Sequence, residues 1–101
     1  MLTKEELRML AKLSDVNWCF FICEKLVASD LHICGEKIVN SAGEEFDCSE
    51  ANMKYFVERM LYQSDMFYKS GRDVDELVKK YFYVFTLEMS SNDALVAMLG
   101  K

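Results

Sequence analysis

The first apolar residues recur at helical spacing. Leu7, Leu10 and Ala11 share one face, and Lys4, Arg8 and Lys12 another. Thr3-x-x-Glu6 has the spacing of a capping box, in which the hydroxyl accepts from an orphan backbone N–H and the glutamate reaches back. Leu2 and Leu7 occupy the staple positions on either side of that cap. This pattern predicts a helix over 4–13. Ser14-Asp15 can cap a second helix over 16–28, where Trp18, Cys19, Phe20, Phe21, Ile22, Cys23, Leu26 and Val27 leave hardly any polar face. A segment apolar nearly all round belongs at the centre of a core. Its β-branched and aromatic content leaves a strand as a competitor, with Glu24, Lys25 and Ala28 favouring the helix.

The pattern changes over 30–48. Leu31-His32-Ile33-Cys34 shows partial two-residue alternation, and Asn40-Ser41-Ala42-Gly43 is a turn signal between Lys37-Ile38-Val39 and Glu44-Glu45-Phe46. This predicts a small β-hairpin or an ordered loop with short strands. A lone hairpin is marginal, so it should pack on the helices through Ile38 and Phe46.

Helical spacing then returns. Asp47 or Ser49 can cap a third helix over 50–69, with Met53, Phe56, Val57, Met60, Ser64 and Phe67 as its stripe and Ser70-Gly71 as its stop. Asp73-x-x-Glu76 opens a fourth, with Val74, Leu77, Val78, Tyr81, Val84 and Phe85 as its stripe, running to about residue 88. Ser90-Ser91-Asn92-Asp93 is expected to break it and to cap a short last helix over 94–99, with Gly100 as its C-terminal glycine. The expected fold is mainly α: about four helices, a short C-terminal helix and the inserted hairpin, in a single domain over 1–101.

Composition narrows the class. The chain has 101 residues, 51% hydrophobic and 13% aromatic, which excludes intrinsic disorder. There are 17 acidic against 12 basic residues, a net charge of −5, which argues against a direct nucleic-acid binder. The excess is local. Residues 30–50 carry Asp30, Glu36, Glu44, Glu45, Asp47 and Glu50 against Lys37 alone, while the segments on either side are balanced. Such a segment is a solvated loop or a surface that meets a basic partner. The first 13 residues carry charges where a secretory signal needs an apolar run, and no apolar stretch approaches the length of a membrane span. A cytoplasmic protein with reduced thiols, and without a membrane partner, is expected.

Candidate chemistry is sparse. Cys19, Cys23, His32, Cys34 and Cys48 supply ligand types for zinc, but no tight Cys-x-x-Cys pair is present, so no metal or other cofactor is expected. A calcium loop starting at Asp30 would have Gly35 in place but His32, Cys34 and Ser41 where carboxylates are needed. His32 and Cys34 lie two apart and would share a strand face, so a thiol–imidazole pair in a small enzyme is one reading.

Aromatic residues point elsewhere. Tyr81-Phe82-Tyr83-Val84-Phe85 cannot all hide on one helix face. Tyr55 and Tyr62 are seven apart and share a face with Glu58 and Arg59. The expected function is therefore non-catalytic: a protein–protein interaction or regulatory module. Its partner would be another protein or a second copy of itself, and it would present Tyr55, Tyr62, Tyr81, Phe82 and Tyr83 together with an acidic hairpin bearing Glu36, Glu44, Glu45 and Asp47. The alternatives are an acidic inhibitor that occupies a nucleic-acid-binding groove of its target, as a counter-defence protein would, and an enzyme using His32 and Cys34.

Overall fold

The computed structural model describes residues 2–62 and 72–99, with side chains described as far as Ser90. The elements are α1 (Lys4–Lys12), α2 (Asp15–Ala28), β1 (His32–Cys34), β2 (Lys37–Val39), β3 (Glu45–Asp47), α3 (Glu50–Leu61), α4 (Val74–Lys80) and α5 (Phe82–Leu99). The fold is mainly helical with a small antiparallel sheet.

Local chemistry sets each boundary. The capping box forms as its spacing predicts: Glu6 N–H donates to Thr3 Oγ1 at 3.1 Å, and Thr3 N–H donates to Glu6 Oε1 at 3.1 Å. Ser14 caps α2 and Ser49 caps α3, each through its hydroxyl. The end of α2 is a Schellman motif. Asp30 adopts φ 65°, its N–H donates to Val27 O at 3.0 Å, and Leu31 N–H donates to Leu26 O at 3.1 Å. Leu26 and Leu31 are both buried, which supplies the apolar contact of that motif.

The sheet has the order β1-β2-β3. Gly35, at φ 64°, makes the two-residue turn between β1 and β2. Asn40 organises the β2–β3 turn, its Oδ1 accepting from Ala42 N–H at 3.1 Å and Glu44 N–H at 3.0 Å. The register aligns Ile33, Ile38 and Phe46 in one cross-strand row. Ile33 and Ile38 are buried, and Phe46 meets Phe56 of α3 edge to face at 5.3 Å. The sheet is thus held between α5, which packs on β1, and α3. The expected docking through Ile38 and Phe46 is present, and the alternating 31–34 segment becomes a third strand.

α2 lies at the centre, packed on α1, α3 and α5, and is a helix throughout. It buries Trp18, Cys19, Ile22, Cys23 and Leu26 but leaves Val16 and Phe20 exposed, so it is not covered on every side. Trp18 Nε1 is buried with no acceptor among the described residues.

Two expectations change. The helix after Asp73 turns at Tyr81, so α4 and α5 are separate helices. The expected break at Ser90–Asp93 is absent, because α5 continues to Leu99. The cause is visible at Ser90, whose hydroxyl donates to Thr86 O at 2.6 Å, as Thr86 Oγ1 donates to Tyr83 O at 2.9 Å. These hydroxyls bond back onto their own helix instead of capping a new one. Ser64, Phe67, Ser70-Gly71 and Gly100 lie outside the described residues.

Candidate functional site

The outward face of α3 carries Tyr55, Glu58, Arg59 and Tyr62, and these four line a shallow groove of about 280 Å³. Helical geometry assembles it, since positions i, i+3, i+4 and i+7 share one face. Tyr55 is 52% exposed and Tyr62 37%. The Arg59 guanidinium lies 5.8 Å from the Tyr55 ring centroid and donates to Tyr55 Oη at 2.9 Å. Glu58 is paired with Lys54 at 3.7 Å, and Lys54 also reaches Asp75 of α4 at 3.6 Å. No carboxylate pairs with Arg59 among the described residues.

A second groove, of about 320 Å³, adjoins the first at Arg59. Its floor is Leu26, Leu31, Phe56 and Met60, and its far wall is Asn40 and Ser41 of the β2–β3 turn. Asn40 Nδ2 donates to Glu44 Oε1 at 3.0 Å, and Glu44 and Glu45 are exposed, though neither lines this groove. The fold therefore brings the aromatic face of α3 beside one end of the acidic hairpin.

The remaining acidic candidates stand at the other end of the sheet. Glu36 and Asp47 line a groove of about 400 Å³ with Ile33, Gly35, Lys37, Cys48 and Thr86. Asp47 forms an ion pair with Lys37 across the β2–β3 register. That hydrogen bond and charge hold the Asp47 carboxyl below its ordinary range and push the Lys37 ammonium above its own. Asp47 is therefore an occupied carboxylate, and the Glu45 charge also acts on Lys37.

The aromatic run on α4 and α5 divides. Phe85 is buried, Tyr81 and Phe82 are half-buried against the core, and Lys80 lies 5.5 Å from the Tyr81 ring. Tyr83 projects outward at 73% exposure, with Leu87 exposed one turn on, and neither lines the grooves at Arg59. Leu87, Val16 and Met9, which sequence reasoning did not single out, are exposed as well, and so is Phe20. The four-residue spacing of Val16 with Phe20, and of Tyr83 with Leu87, was the available signal.

The candidate chemical groups remain apart. His32 and Cys34 share the outer face of β1, but no hydrogen bond joins them among the described residues, and Cys34 is exposed. Cys19 and Cys23 are buried thiols in α2. Burial, with the Asp15 charge, pushes Cys19 up to about 12. Burial, with the Cys19 thiol and the Glu88 charge, pushes Cys23 higher than an ordinary thiol. Burial also raises Cys48. No cluster of three or more His, Cys, Asp or Glu side chains suited to a metal occurs among the described residues. Nor is any described helix long and apolar enough to cross a membrane. Compared with protein families, curated proteins and solved structures, the chain matches none.

Proposed function

We propose that the chain is a non-catalytic protein–protein interaction module of the cytoplasm, and that it meets its partner through α3 and the adjoining β2–β3 turn. The observation that carries this reading is the junction of two apolar-floored grooves at Arg59, flanked by the exposed rings of Tyr55 and Tyr62. Tyrosine and arginine are the residue types enriched at interface centres, where rigid rings and a planar cation give contact at low entropic cost.

The acidic-inhibitor reading draws less support. Asp47 is neutralised by Lys37, and Glu36 stands at the opposite end of the sheet from Glu44 and Glu45. A phosphate mimic needs a continuous track of unpaired carboxylates.

The test is parallel capture from cell extract with wild-type protein and the Tyr55→Ala/Tyr62→Ala variant, then titration of the captured partner. Loss of both rings should weaken binding by about 3 kcal/mol, a Kd change of roughly 150-fold. That affinity should barely respond to a tenfold rise in salt, whereas groove mimicry would lose it steeply. Unchanged affinity in the variant would refute the assignment of this face.

A further inference from the structure

Most serine and threonine hydroxyls among the described residues are already engaged. Those of Thr3, Ser14 and Ser49 accept at helix N-termini, and those of Thr86 and Ser90 donate to carbonyls of their own helix. Ser29 and Ser41 are not engaged in this way, and both line the groove of about 320 Å³ that meets Arg59. Their surroundings differ. Ser29 caps the C-terminus of α2, where the negative end of the helix dipole opposes a phosphate. Ser41 is exposed at the tip of the β2–β3 turn, which Asn40 Oδ1 fixes by accepting from the N–H groups of Ala42 and Glu44. The exposed carboxylates of Glu44 and Glu45 follow it at three and four residues.

We propose that Ser41 is a phosphorylation site for a serine kinase with a basic substrate cleft, and that the phosphate binds Arg59 and closes the groove between them. The acidic turn supplies recognition, because carboxylates beside the acceptor complement a basic cleft. In the transfer, Ser41 Oγ forms a bond to the γ-phosphorus of a nucleoside triphosphate. The bond from that phosphorus to the bridging oxygen breaks, the hydroxyl proton passes to the kinase's base, and the diphosphate leaves. Among the described residues lining the groove, Arg59 alone is charged. Its Nη1 donates to Tyr55 Oη, and a guanidinium carries five N–H groups, so donors remain for phosphate oxygens. Glu44 repels the new charge from its own turn, toward the cation. The contact would cover the floor of Leu26, Leu31, Phe56 and Met60. This last consequence, control of the partner face, rests on the interaction-module reading above.

The test uses the full chain, magnesium ATP and a serine kinase already shown to be active on an acidic peptide. One phosphate should enter the wild-type chain, peptide mass spectrometry should place it on Ser41, and Ser41→Ala should stay unmodified. Glu44→Gln/Glu45→Gln should slow the transfer about tenfold. Phosphorus NMR then reads the contact with Arg59. The second ionisation of a phosphoserine lies at about 6, and the guanidinium should lower it by about half a unit relative to the phosphorylated Arg59→Gln chain. Emission from the buried Trp18 checks that each variant is folded. A folded wild-type chain left unmodified, a phosphate on another residue in place of Ser41, or a rate indifferent to both glutamates overturns the acceptor site. Identical phosphate titrations in wild type and Arg59→Gln overturn the closure. The partner face is judged separately, by capture with the phosphorylated chain beside Tyr55→Ala/Tyr62→Ala. Capture that needs the rings but ignores the phosphate refutes the closure and leaves the face standing. Capture that ignores the rings refutes the face, while the kinase reaction alone decides the acceptor site.

Discussion

Removing the Arg72 guanidinium should destabilise the chain more than any single exposed ion pair would. Arg72 precedes α4, yet it reaches the corner between α1 and α2. Its Nη1 donates to Leu10 O at 2.9 Å, its Nη2 donates to Leu13 O, and its Nε donates to Asp15 Oδ1 at 3.0 Å. Leu10 and Leu13 carry carbonyls at the end of α1, where Leu10 O otherwise accepts only the long 3.3 Å bond from Leu13 N–H and the carbonyls form the negative end of the helix dipole. A hydrogen bond from a charged donor is worth about 1.5–3 kcal/mol, while the half-exposed pair with Asp15 adds less than about 1 kcal/mol. Ordering the long side chain offsets up to about 2 kcal/mol of that sum. The net expectation for Arg72→Met is a loss of about 2–3 kcal/mol. For a chain of this size that lowers Tm by roughly 10–20 °C. Arg72→Lys keeps the charge but cannot span three acceptors, so it should lose about half as much. Urea unfolding followed by the emission of Trp18, the single and fully buried tryptophan, reads both variants. Arg72→Met within about 0.5 kcal/mol of wild type, or Arg72→Lys indistinguishable from it, would refute the clamp.

Other expectations follow from burial and charge. With a soluble thiol reagent at neutral pH, Cys34 should react first and Cys48 more slowly, while Cys19 and Cys23 should react only on unfolding; early labelling of either α2 thiol would contradict its burial. Alkali should unfold the protein progressively: neutral Cys19 contributes stability that is complete below the ordinary thiol value of about 8.5 and is lost as pH rises from there through about 12, so a Cys19→Ala variant should show a flatter urea midpoint over that window. On the acid side, the Lys25 partnership holds the Glu6 carboxyl below its ordinary range and Lys37 does the same for Asp47; their contributions are present above that range and vanish as pH falls through the depressed values, which side-chain NMR titration can follow. Ile38→Ala, at a fully buried position of β2, should cost about 2–5 kcal/mol and release the sheet from the helices, read as lost amide protection over 32–47; retained protection would show that Phe46 alone holds the sheet.

Signals confined to a few neighbouring residues were legible in the sequence. The Thr3–Glu6 box, the serine caps at 14 and 49, the Asn40–Gly43 turn and the Asp73 cap all close within five residues, so spacing determines them. Where two local rules competed, context decided. Ser90 to Asp93 reads as a capping cluster, yet hydroxyls can also bond to the carbonyl one turn back, and at Ser90 that option is taken. Long-range partnerships left no local trace. Nothing near Arg72 marks Leu10, Leu13 or Asp15 as its acceptors, because the clamp closes only when α4 docks.

The same distinction explains how much of the candidate surface could be read. Tyr55, Glu58, Arg59 and Tyr62 lie within two turns of one helix, so their common face follows from the period alone, and the groove they line coincides with it. The half-burial of Tyr81 and Phe82 did not follow, because the bend at Tyr81 reorients the run that contains them. Val16 and Phe20 lie four apart and so share a face, but on a helix apolar nearly all round that spacing does not say which face stays open until the neighbours are placed. Periodicity also could not show that the β2–β3 turn adjoins Arg59. That juxtaposition depends on Phe46 docking on Phe56, which aligns the sheet with α3 and fixes where Asn40 and Glu44 stand. The placement of the turn beside α3 therefore depends on one aromatic contact. Phe46→Ala should release the β2–β3 turn from α3 and lower amide protection over 37–47 while α3 itself stays folded. A Phe46→Ala chain whose strands keep wild-type protection would show that Ile38 alone holds the sheet on the helices.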